Sequence, residues 1–203
     1  MYKYTLPLKL KPQFETDLIR LGKNNDGGYL IPKKSLNSCN KLYSFGLNDD
    51  YSFEKDFFKQ TNAEVVCYDQ SVNFKFFLKL FLFGHFSKLF QYLGYRFFFD
   101  GKKRKHIKKN IIPKGTYKFD HEVDSADIDS IIKEDPSNDI FFKIDIEGSE
   151  YRILSQLIKH SSHISGLVIE FHDWDLNLDK IINFVENFEL QLVLIHVNNW
   201  SYI

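Results

Sequence analysis

The strongest constraint on the fold is a regular alternation of short apolar runs with helical patterns, which begins at residue 41. Apolar residues recur at helical spacing over 51–61, 125–134, 149–160 and 177–188. Between these segments lie apolar runs that predict strands at 41–45, 63–69, 115–123, 139–148, 166–173 and 191–199. Strands and helices that alternate over short connections predict an α/β fold with a Rossmann-like, doubly wound, mostly parallel sheet.

Polar residues stand at the ends of these predicted strands. A buried strand tolerates an acid only where its end opens onto a site, and the ligands of such sheets bind outside the carboxyl ends of the strands. The sequence therefore predicts a functional site at that edge of the sheet. The residues concerned are Gly46, Asn48, Asp69, Asp145, Glu147, Glu170, His172, His196 and Asn198.

The first two strands carry a signal for a nucleoside-containing cofactor. Gly46 follows the first strand and Asp69 closes the second, an interval at which dinucleotide folds place an acid on the ribose hydroxyls. The loop FGLNDDYSFEKD has one glycine and two adjacent aspartates, which repel a pyrophosphate but attract a sulfonium and an amino group. S-adenosylmethionine therefore fits better than a nicotinamide dinucleotide, with Gly46, Asn48 and Asp69 as cofactor-binding candidates. The alternative is that Gly46 makes a tight turn and Asp69 caps a helix.

The block FFKIDIEGSEYRIL (141–154) joins a lysine, three acids and a glycine to the start of a helical pattern. It resembles the characteristic block of the FkbM-type S-adenosylmethionine-dependent methyltransferases. SADIDSII (125–132) and GLVIEFH (166–172) resemble the segments on either side of that block. RLGKNNDGGYLIP (20–32) and LYSFGLNDDYSFEKD (42–56) resemble an amino-terminal block and a variant cofactor loop of one subgroup, so the resemblance spans most of the chain.

This resemblance implies a methyltransferase that uses S-adenosylmethionine and acts on a hydroxyl oxygen of a small or carbohydrate acceptor. It also implies a cofactor-binding role for Asp26, as part of a lid, in a segment whose Asp-Gly-Gly sequence is otherwise typical of a turn. The cofactor loop has fewer glycines than the family pattern. The chain stops at Ile203, where relatives are expected to continue into a final strand, so the strand predicted at 191–199 is expected to have an unpaired edge.

Methyl transfer to oxygen needs a group that removes the acceptor proton, so acids and histidines at the strand ends are the catalytic candidates. Asp145 and Glu147 alternate along one strand and therefore share a face. Asp145 could be a base, a metal ligand or an acceptor-binding group, whereas Glu147 could instead stabilise the start of the next helix. His172 is the first choice as general base, unless it only bonds a loop carbonyl, and His196 is the second.

The sequence does not require a metal. Asp145, Glu170 and His172 could together hold a divalent cation, because oxygen-rich sites suit magnesium and manganese. Nothing in their spacing demands one, so a divalent metal is not predicted. Cys39 and Cys67 lack metal-ligand spacing, and no disulfide between them is expected.

A segment rich in phenylalanine and lysine follows the second predicted strand. Residues 72–99 are largely aromatic, but basic residues interrupt them, so they do not predict a membrane-spanning helix, and residues 101–109 are strongly basic. We interpret 72–112 as an aromatic-rich helical insertion within a single methyltransferase-like domain over 1–203. The favoured interpretation is that it packs on the domain or on a second subunit of a homo-oligomer. Peripheral contact with a membrane surface is the alternative.

Charge and composition limit the other classes of function. Basic and acidic residues are equal at 27 each, which argues against a nucleic-acid partner. The amino terminus lacks the apolar block of a signal peptide, so a cytoplasmic location is expected. Two alternatives stay open: a non-catalytic scaffold that binds a partner or a membrane through the insertion, and a nicotinamide oxidoreductase, against which the poor phosphate loop counts.

Overall fold

A five-stranded parallel sheet forms the centre of the computed structural model, which describes residues 6–12, 14–24, 27–48, 50–72, 75, 78, 81–82, 87–111 and 125–196. The strands are β1 (Leu18–Leu21), β2 (Tyr29–Pro32), β3 (Lys41–Phe45), β4 (Glu64–Tyr68), β5 (Arg104–Ile107), β6 (Asn110–Ile111), β7 (Ser125–Ala126), β8 (Ile140–Ile144) and β9 (Ile164–Ile169). The main sheet has the order β5–β4–β3–β8–β9, and each neighbouring pair is parallel. The chain therefore winds from the centre to one edge and then to the other, as the sequence predicts.

Helices cover both faces of this sheet. They are α1 (Ser52–Thr61), α2 (Ser87–Phe99), α3 (Ile128–Glu134), α4 (Leu154–Lys159) and α5 (Leu178–Asn187). Short 3-10 turns occur at Leu8–Leu10, Lys33–Asn37, Glu150–Arg152, Ser161–His163 and Trp174–Leu176.

Alternate residues of the central strands supply two separate hydrophobic clusters. Leu42 of β3 packs in a cluster with Phe53 and Phe57 of α1. The next residue, Tyr43, packs in the other cluster, which contains residues of α3, α4 and α5 such as Leu157. Successive side chains of a strand point to opposite faces, so this division shows that the two faces of the sheet are both buried.

The segment predicted as an insertion contributes to the main sheet instead. α2 and β5 lie within 72–112, and β5 pairs in parallel with β4 as the edge strand. An insertion is therefore not confirmed, because α2 is the crossover helix and β5 the second strand of a parallel βαβ unit that begins with β4. Residues 112–124 lie outside the described residues, and with them the strand predicted at 115–123.

Several boundaries predicted from the sequence also differ. α4 begins at Leu154 after a 3-10 turn, and β8 and β9 end at Ile144 and Ile169, four residues before their predicted ends. The helix predicted over 125–134 begins later: Ser125 lies in the short strand β7, and α3 is capped by Asp127, whose side chain accepts a hydrogen bond from the amide of Ser130 at 2.8 Å. The strand predicted at 191–199 is wrong over residues 191–196, which form no strand; residues 197–199 lie outside the described residues. A strand needs a hydrogen-bonding neighbour, and within the described part of the chain none pairs with the outer edge of β9.

The antiparallel hairpin β1–β2 packs against α1 and the site edge of the main sheet. The amide of Gly22 donates to Asp56 at 3.1 Å, and the amide of Lys23 donates to the hydroxyl of Ser52 at 3.2 Å. These bonds hold the start of the hairpin turn on the first turns of α1. Among the described residues, no helix combines the length and the apolar character that crossing a bilayer requires.

Candidate functional site

The carboxyl ends of β3, β4 and β8 lie side by side, because Phe45 pairs with Tyr68 on one side and with Ile144 on the other. Gly46 follows β3 with a φ of 81°. A Cβ at this position would stand 1.6 Å from the carbonyl oxygen of Asp145. Only glycine allows the two strand ends to approach this closely, so Gly46 shapes the predicted cofactor loop through its backbone.

Asp69 ties the loop after β3 to the loop after β4. Its Oδ2 atom accepts hydrogen bonds of 2.8 Å from the amides of both Leu47 and Asn48, and Oδ1 accepts bonds from the amide and the hydroxyl of Ser71 at 2.7 and 2.6 Å. Burial acts to raise the pKa of Asp69, but these hydrogen bonds outweigh it and lower the pKa. The structure thus gives Asp69 and Asn48 a role in organising the loop, and their contact with a ribose stays a prediction.

The predicted lid lies at the turn between β1 and β2. Asp26 lies outside the described residues, so its cofactor role stays a prediction. The neighbouring Gly27 has a φ of 83°, and a Cβ there would stand 2.4 Å from Oδ2 of Asp50. Lys23 forms an ion pair of 3.1 Å with that same oxygen. The turn is therefore fixed directly beside the loop that begins at Gly46.

Tyr29 of β2 connects the hairpin to the ends of β8 and β9. Its hydroxyl donates to Oδ2 of Asp145 at 2.7 Å, and Oε2 of Glu170 lies 3.0 Å away. Burial, and then the negative charge of Asp145, raise the pKa of the Tyr29 hydroxyl far above its usual value. The hydroxyl therefore keeps its proton and bridges two carboxylates from neighbouring strands.

Lys143 places a buried positive charge beneath the same edge. Its Nζ atom donates to the carbonyl oxygen of Gly46 and lies 3.7 Å from Oδ2 of Asp145. Burial raises the pKa of Glu54 on α1, an effect that the positive charge of Lys143 opposes. Lys143 therefore joins the β3 loop to the acid at the end of β8 and offsets part of the negative charge around it.

His172 lies between three carboxylates. Its Nδ1 atom is 2.9 Å from Oε1 of Glu150, and its Nε2 atom is 3.5 Å from Oε2 of Glu147 and 3.9 Å from Oδ1 of Asp145. Glu150 is fully buried, and the same Oε1 atom accepts hydrogen bonds from the amides of Ile146 and Gly148. Glu150 thus fixes the orientation of the ring and directs Nε2 towards Asp145 and Glu147.

The charges around His172 also set its protonation. The hydrogen bond with Glu150 raises the pKa of His172 to about 9, in spite of partial burial, and the charges of Asp145 and Glu147 act in the same direction. Burial opposes the ionised form of Glu150, but its hydrogen bonds, that from His172 first, lower its pKa. The pair is therefore an imidazolium and a carboxylate at neutral pH, so His172 becomes a base only where a further positive charge opposes its proton.

Three side chains of the site stand close enough to share one cation. The ligand atoms of Asp145, Glu147 and His172 all lie within 4.8 Å of one another. The sequence pointed to Glu170 as the third member of such a group, but the Tyr29 hydroxyl lies against Glu170 and the structure places Glu147 in that position instead. A carboxylate and imidazole set of this kind suits a divalent ion, and equally a cationic organic group.

Sequence reasoning missed three residues that build this site. Lys143 stands two residues before Asp145, so the alternation that joined Asp145 to Glu147 also placed Lys143 on that face. Glu150 carried a weaker signal as an acid just after the strand-end glycine. Tyr29 had none, because its contact with Asp145 joins residues that are 116 positions apart.

His196 is the sequence-predicted catalytic residue that the structure does not bring into this cluster. It is exposed at the end of the last described segment, and the hydrogen bonds and ion pairs described above do not include it. Gly46, Asn48, Asp69, Asp145, Glu147 and His172 do meet at one edge of the sheet, and their individual chemical roles stay predictions.

The side chains at this edge fit S-adenosylmethionine better than a dinucleotide. Asp145, Glu147, Glu170 and Asp69 surround the ends of four parallel strands with negative charge, which attracts a sulfonium and an ammonium group. A pyrophosphate would meet repulsion there. The carboxylates and the Tyr29 hydroxyl also provide hydrogen-bonding groups for hydroxyls of a ribose or an acceptor.

Comparison with known proteins gives one finding. The family model described as "Methyltransferase FkbM domain" matches residues 28–191, which is most of the chain and includes every element from β2 to α5. A search among curated proteins finds no match.

Proposed function

Because the chain belongs to the FkbM methyltransferase family, we propose that it transfers a methyl group from S-adenosylmethionine to a hydroxyl oxygen of a small or carbohydrate acceptor. The observation that carries the proposal is the group of carboxylates around His172 at the carboxyl ends of β8 and β9, beside the Gly46 loop. This is the edge at which parallel α/β sheets bind their ligands.

We assign cofactor binding to the loops after β3 and β4. Gly46, Asn48 and Asp69 form one side of this region, and the described residues Lys23 and Gly27 of the hairpin turn lie against Asp50 of the same loop. A cofactor-binding role for Asp26 is part of the proposal. When bound, the cofactor supplies a methyl group on a positively charged sulfur. The carboxylates of Asp145 and Glu147 stabilise such positive charge, and the buried amine of Lys143, 3.7 Å from Oδ2 of Asp145, holds that side chain in place.

His172 and Asp145 act on the acceptor. A hydroxyl group beside Nε2 of His172, which lies 3.9 Å from Oδ1 of Asp145, would meet a proton acceptor there once the imidazole is neutral. Positive charge at this edge favours the neutral imidazole, whose Nε2 then takes the proton of that hydroxyl, while Asp145 orients the acceptor by accepting a hydrogen bond from a neighbouring hydroxyl. Glu150 holds the resulting imidazolium by its 2.9 Å contact with Nδ1.

The choice of a hydroxyl acceptor rests on the family resemblance and on the polar character of the edge. Tyr29, Asp145 and Glu170 present oxygen atoms from three different strands, an arrangement suited to a polyhydroxylated molecule.

A methyl-transfer assay tests this proposal. Formation of S-adenosylhomocysteine is measured with panels of free sugars, nucleotide sugars and polyols, and the methylated product is located by mass spectrometry. His172→Gln should lower kcat by about 10²- to 10⁴-fold while the affinity for S-adenosylmethionine changes little, because a general base acts on the acceptor proton and not on cofactor binding. Asp179→Asn, at an exposed position of α5, is the control and should have the activity of the parent. Full activity of His172→Gln would remove His172 from the mechanism.

A further inference from the structure

Helix α2 has one face packed on the protein and another exposed. Tyr95 and Phe98 are buried, and both rings contact Tyr51, with centroids 6.1 and 5.5 Å apart. On the other side, Phe90 is 76% exposed and Phe97 is 83% exposed. The packed face accounts for the position of the helix, so it leaves the exposed aromatic residues without a role in the fold.

The exposed residues form a continuous stripe. Phe90, Leu93 and Phe97 are spaced by three and four residues, which places them on one side of α2. Leu93 between the two phenylalanines is 56% exposed. Scattered apolar residues are ordinary on a protein surface, but three large ones in line along a helix mark a surface that binds something apolar.

The same region is strongly basic, although the chain as a whole has no net charge. Residues 71–119 contain twelve of the 27 lysines and arginines and a single one, Asp100, of the 27 acidic residues. The remainder of the chain therefore holds 15 basic and 26 acidic residues, so a neutral chain has one strongly basic region. Exposed members of the basic set in the described part of the chain are Lys75, Arg96, Lys102, Lys103, Lys105 and Lys108.

We propose that the α2 stripe, formed by Phe90, Leu93 and Phe97, attaches the protein to the surface of an anionic lipid bilayer. The aromatic and leucine side chains enter the boundary between headgroups and acyl chains, while Arg96 on the same helix and exposed lysines of the same basic region meet anionic headgroups. Each lysine or arginine close to such a surface strengthens the attraction. Apolar residues and positive charges can act together at an anionic bilayer, which has a negatively charged surface and an apolar interior.

Charge and exposure distinguish this partner from two others. A second copy of the chain could cover the stripe only by bringing two strongly basic regions together in a symmetric pair, which repel. Nucleic acid would satisfy the lysines but would leave Phe90, Leu93 and Phe97 in water. The proposal concerns a surface distinct from the His172 site and does not depend on methyl transfer.

Co-sedimentation of the full chain with vesicles tests the proposal. The protein should bind vesicles of phosphatidylcholine mixed with phosphatidylserine, and bind pure phosphatidylcholine vesicles at least about tenfold more weakly. The double variant Phe90→Gln/Phe97→Gln should lose about tenfold or more in affinity for the mixed vesicles. Leu176→Gln removes an equally exposed residue, 81% accessible, outside the α2 stripe and should bind as the parent does.

Three results would overturn the proposal. The first is that the protein binds both kinds of vesicle equally or binds neither, while a normal unfolding transition shows that it is folded. The second is vesicle binding by the double variant that equals that of the parent. The third is tight binding of an oligonucleotide, unaffected by the double variant, without vesicle binding, which would identify the basic region as a nucleic-acid surface. S-adenosylmethionine binding measured on the same samples reports separately on the proposed function.

Discussion

Gly46 and Gly148 have similar backbone conformations but very different surroundings. Their φ angles are 81° and 91°, yet a Cβ on Gly46 would collide with the Asp145 carbonyl at 1.6 Å, whereas nothing lies within 4 Å of one on Gly148. The left-handed conformation costs an alanine about 1–2 kcal/mol at either position. Only at Gly46 must the strand ends also move apart.

Gly46→Ala should therefore lower the free energy of unfolding by about 3 kcal/mol or more, against about 1 kcal/mol for Gly148→Ala. Denaturant unfolding of the two variants beside the parent measures the difference. The same clash should distort the cofactor loop and weaken S-adenosylmethionine binding in the first variant alone. Equal stability losses would show that the close approach of the strand ends is not a constraint.

The protonation of His172 provides a second test at this scale. An NMR titration of the histidine ring, with a chelator present, should give a pKa of about 9 for His172. Glu150→Gln should move that pKa down towards the ordinary value of 6.5, because the largest contribution is the hydrogen bond with the Glu150 carboxylate. Asp129→Asn changes an acid outside this cluster and should leave the pKa in place. A pKa below 7 in the parent would contradict the arrangement of charges described here.

This raised pKa also links His172 to stability. The folded-state pKa lies above the unfolded value, so the stabilisation is complete below about pH 6.5 and is lost as the pH rises through about 9. The free energy of unfolding should fall over that interval in the parent and fall less in Glu150→Gln. Equal slopes for the two proteins would count against the pairing.

Individual site residues were predictable where a local pattern carried them. Asp145, Glu147 and His172 stand at strand ends with alternate spacing, and the structure brings them together. Tyr29 was not predictable, because only the folded chain brings β2 against β8. His196 had the same local pattern as His172 but belongs to a segment that forms no strand, so its position could not be inferred.

Among the elements, the β1–β2 hairpin is held against the ends of β8 and β9 by the hydroxyl of Tyr29. Tyr29→Phe removes the hydroxyl that bridges Asp145 and Glu170, so the hairpin should open more readily, by about 1 kcal/mol. Hydrogen exchange of residues 18–32 measures this directly. Tyr151→Phe removes a hydroxyl that donates to the His172 carbonyl instead and should leave exchange in the hairpin unchanged. Unaltered exchange in Tyr29→Phe would show that other contacts hold the hairpin.

Two phenylalanines allow the contribution of a buried side chain to stability to be compared with that of an exposed one. Phe57 of α1 is fully buried against the sheet, whereas Phe97 of α2 is largely exposed. Phe57→Ala should cost about 3–5 kcal/mol of unfolding free energy, because it leaves a cavity, and Phe97→Ala should cost less than about 0.5 kcal/mol. Thermal and denaturant unfolding compare them. A large loss in Phe97→Ala would mean that the α2 stripe serves the fold and would weaken the case for a lipid surface.

Some elements with a strong apolar period were predicted to within one residue at each end, whereas α4 begins five residues after the start of its predicted segment because a 3-10 turn precedes it. α1 and α5 begin one residue inside their predicted segments, and β3 is the predicted 41–45. β5 was missed because its sequence, RKHI, is basic and lacks the apolar run that identifies a buried strand. It occupies an edge of the main sheet in the described residues, where polar side chains are tolerated.

In the whole molecule, the proposed methyl-transfer site lies at one edge of the parallel sheet, and the proposed lipid-binding surface lies in the basic region 71–119. The sheet order follows from alternating elements and the rules of parallel connections, so the fold class was accessible from the sequence. The concentration of positive charge in 71–119 was also visible there, but the orientation of α2, with one face packed and one exposed, required tertiary contacts.

Isothermal titration of the full chain measures directly whether this edge of the sheet binds S-adenosylmethionine. We expect S-adenosylmethionine and S-adenosylhomocysteine to bind with dissociation constants of roughly micromolar order, and NAD to show no comparable binding. Gly46→Ala should lose much of this affinity, whereas Gly148→Ala should keep it. If the folded parent protein binds neither S-adenosylmethionine nor S-adenosylhomocysteine, this edge is not a site for that cofactor, and a non-catalytic role for the fold is favoured.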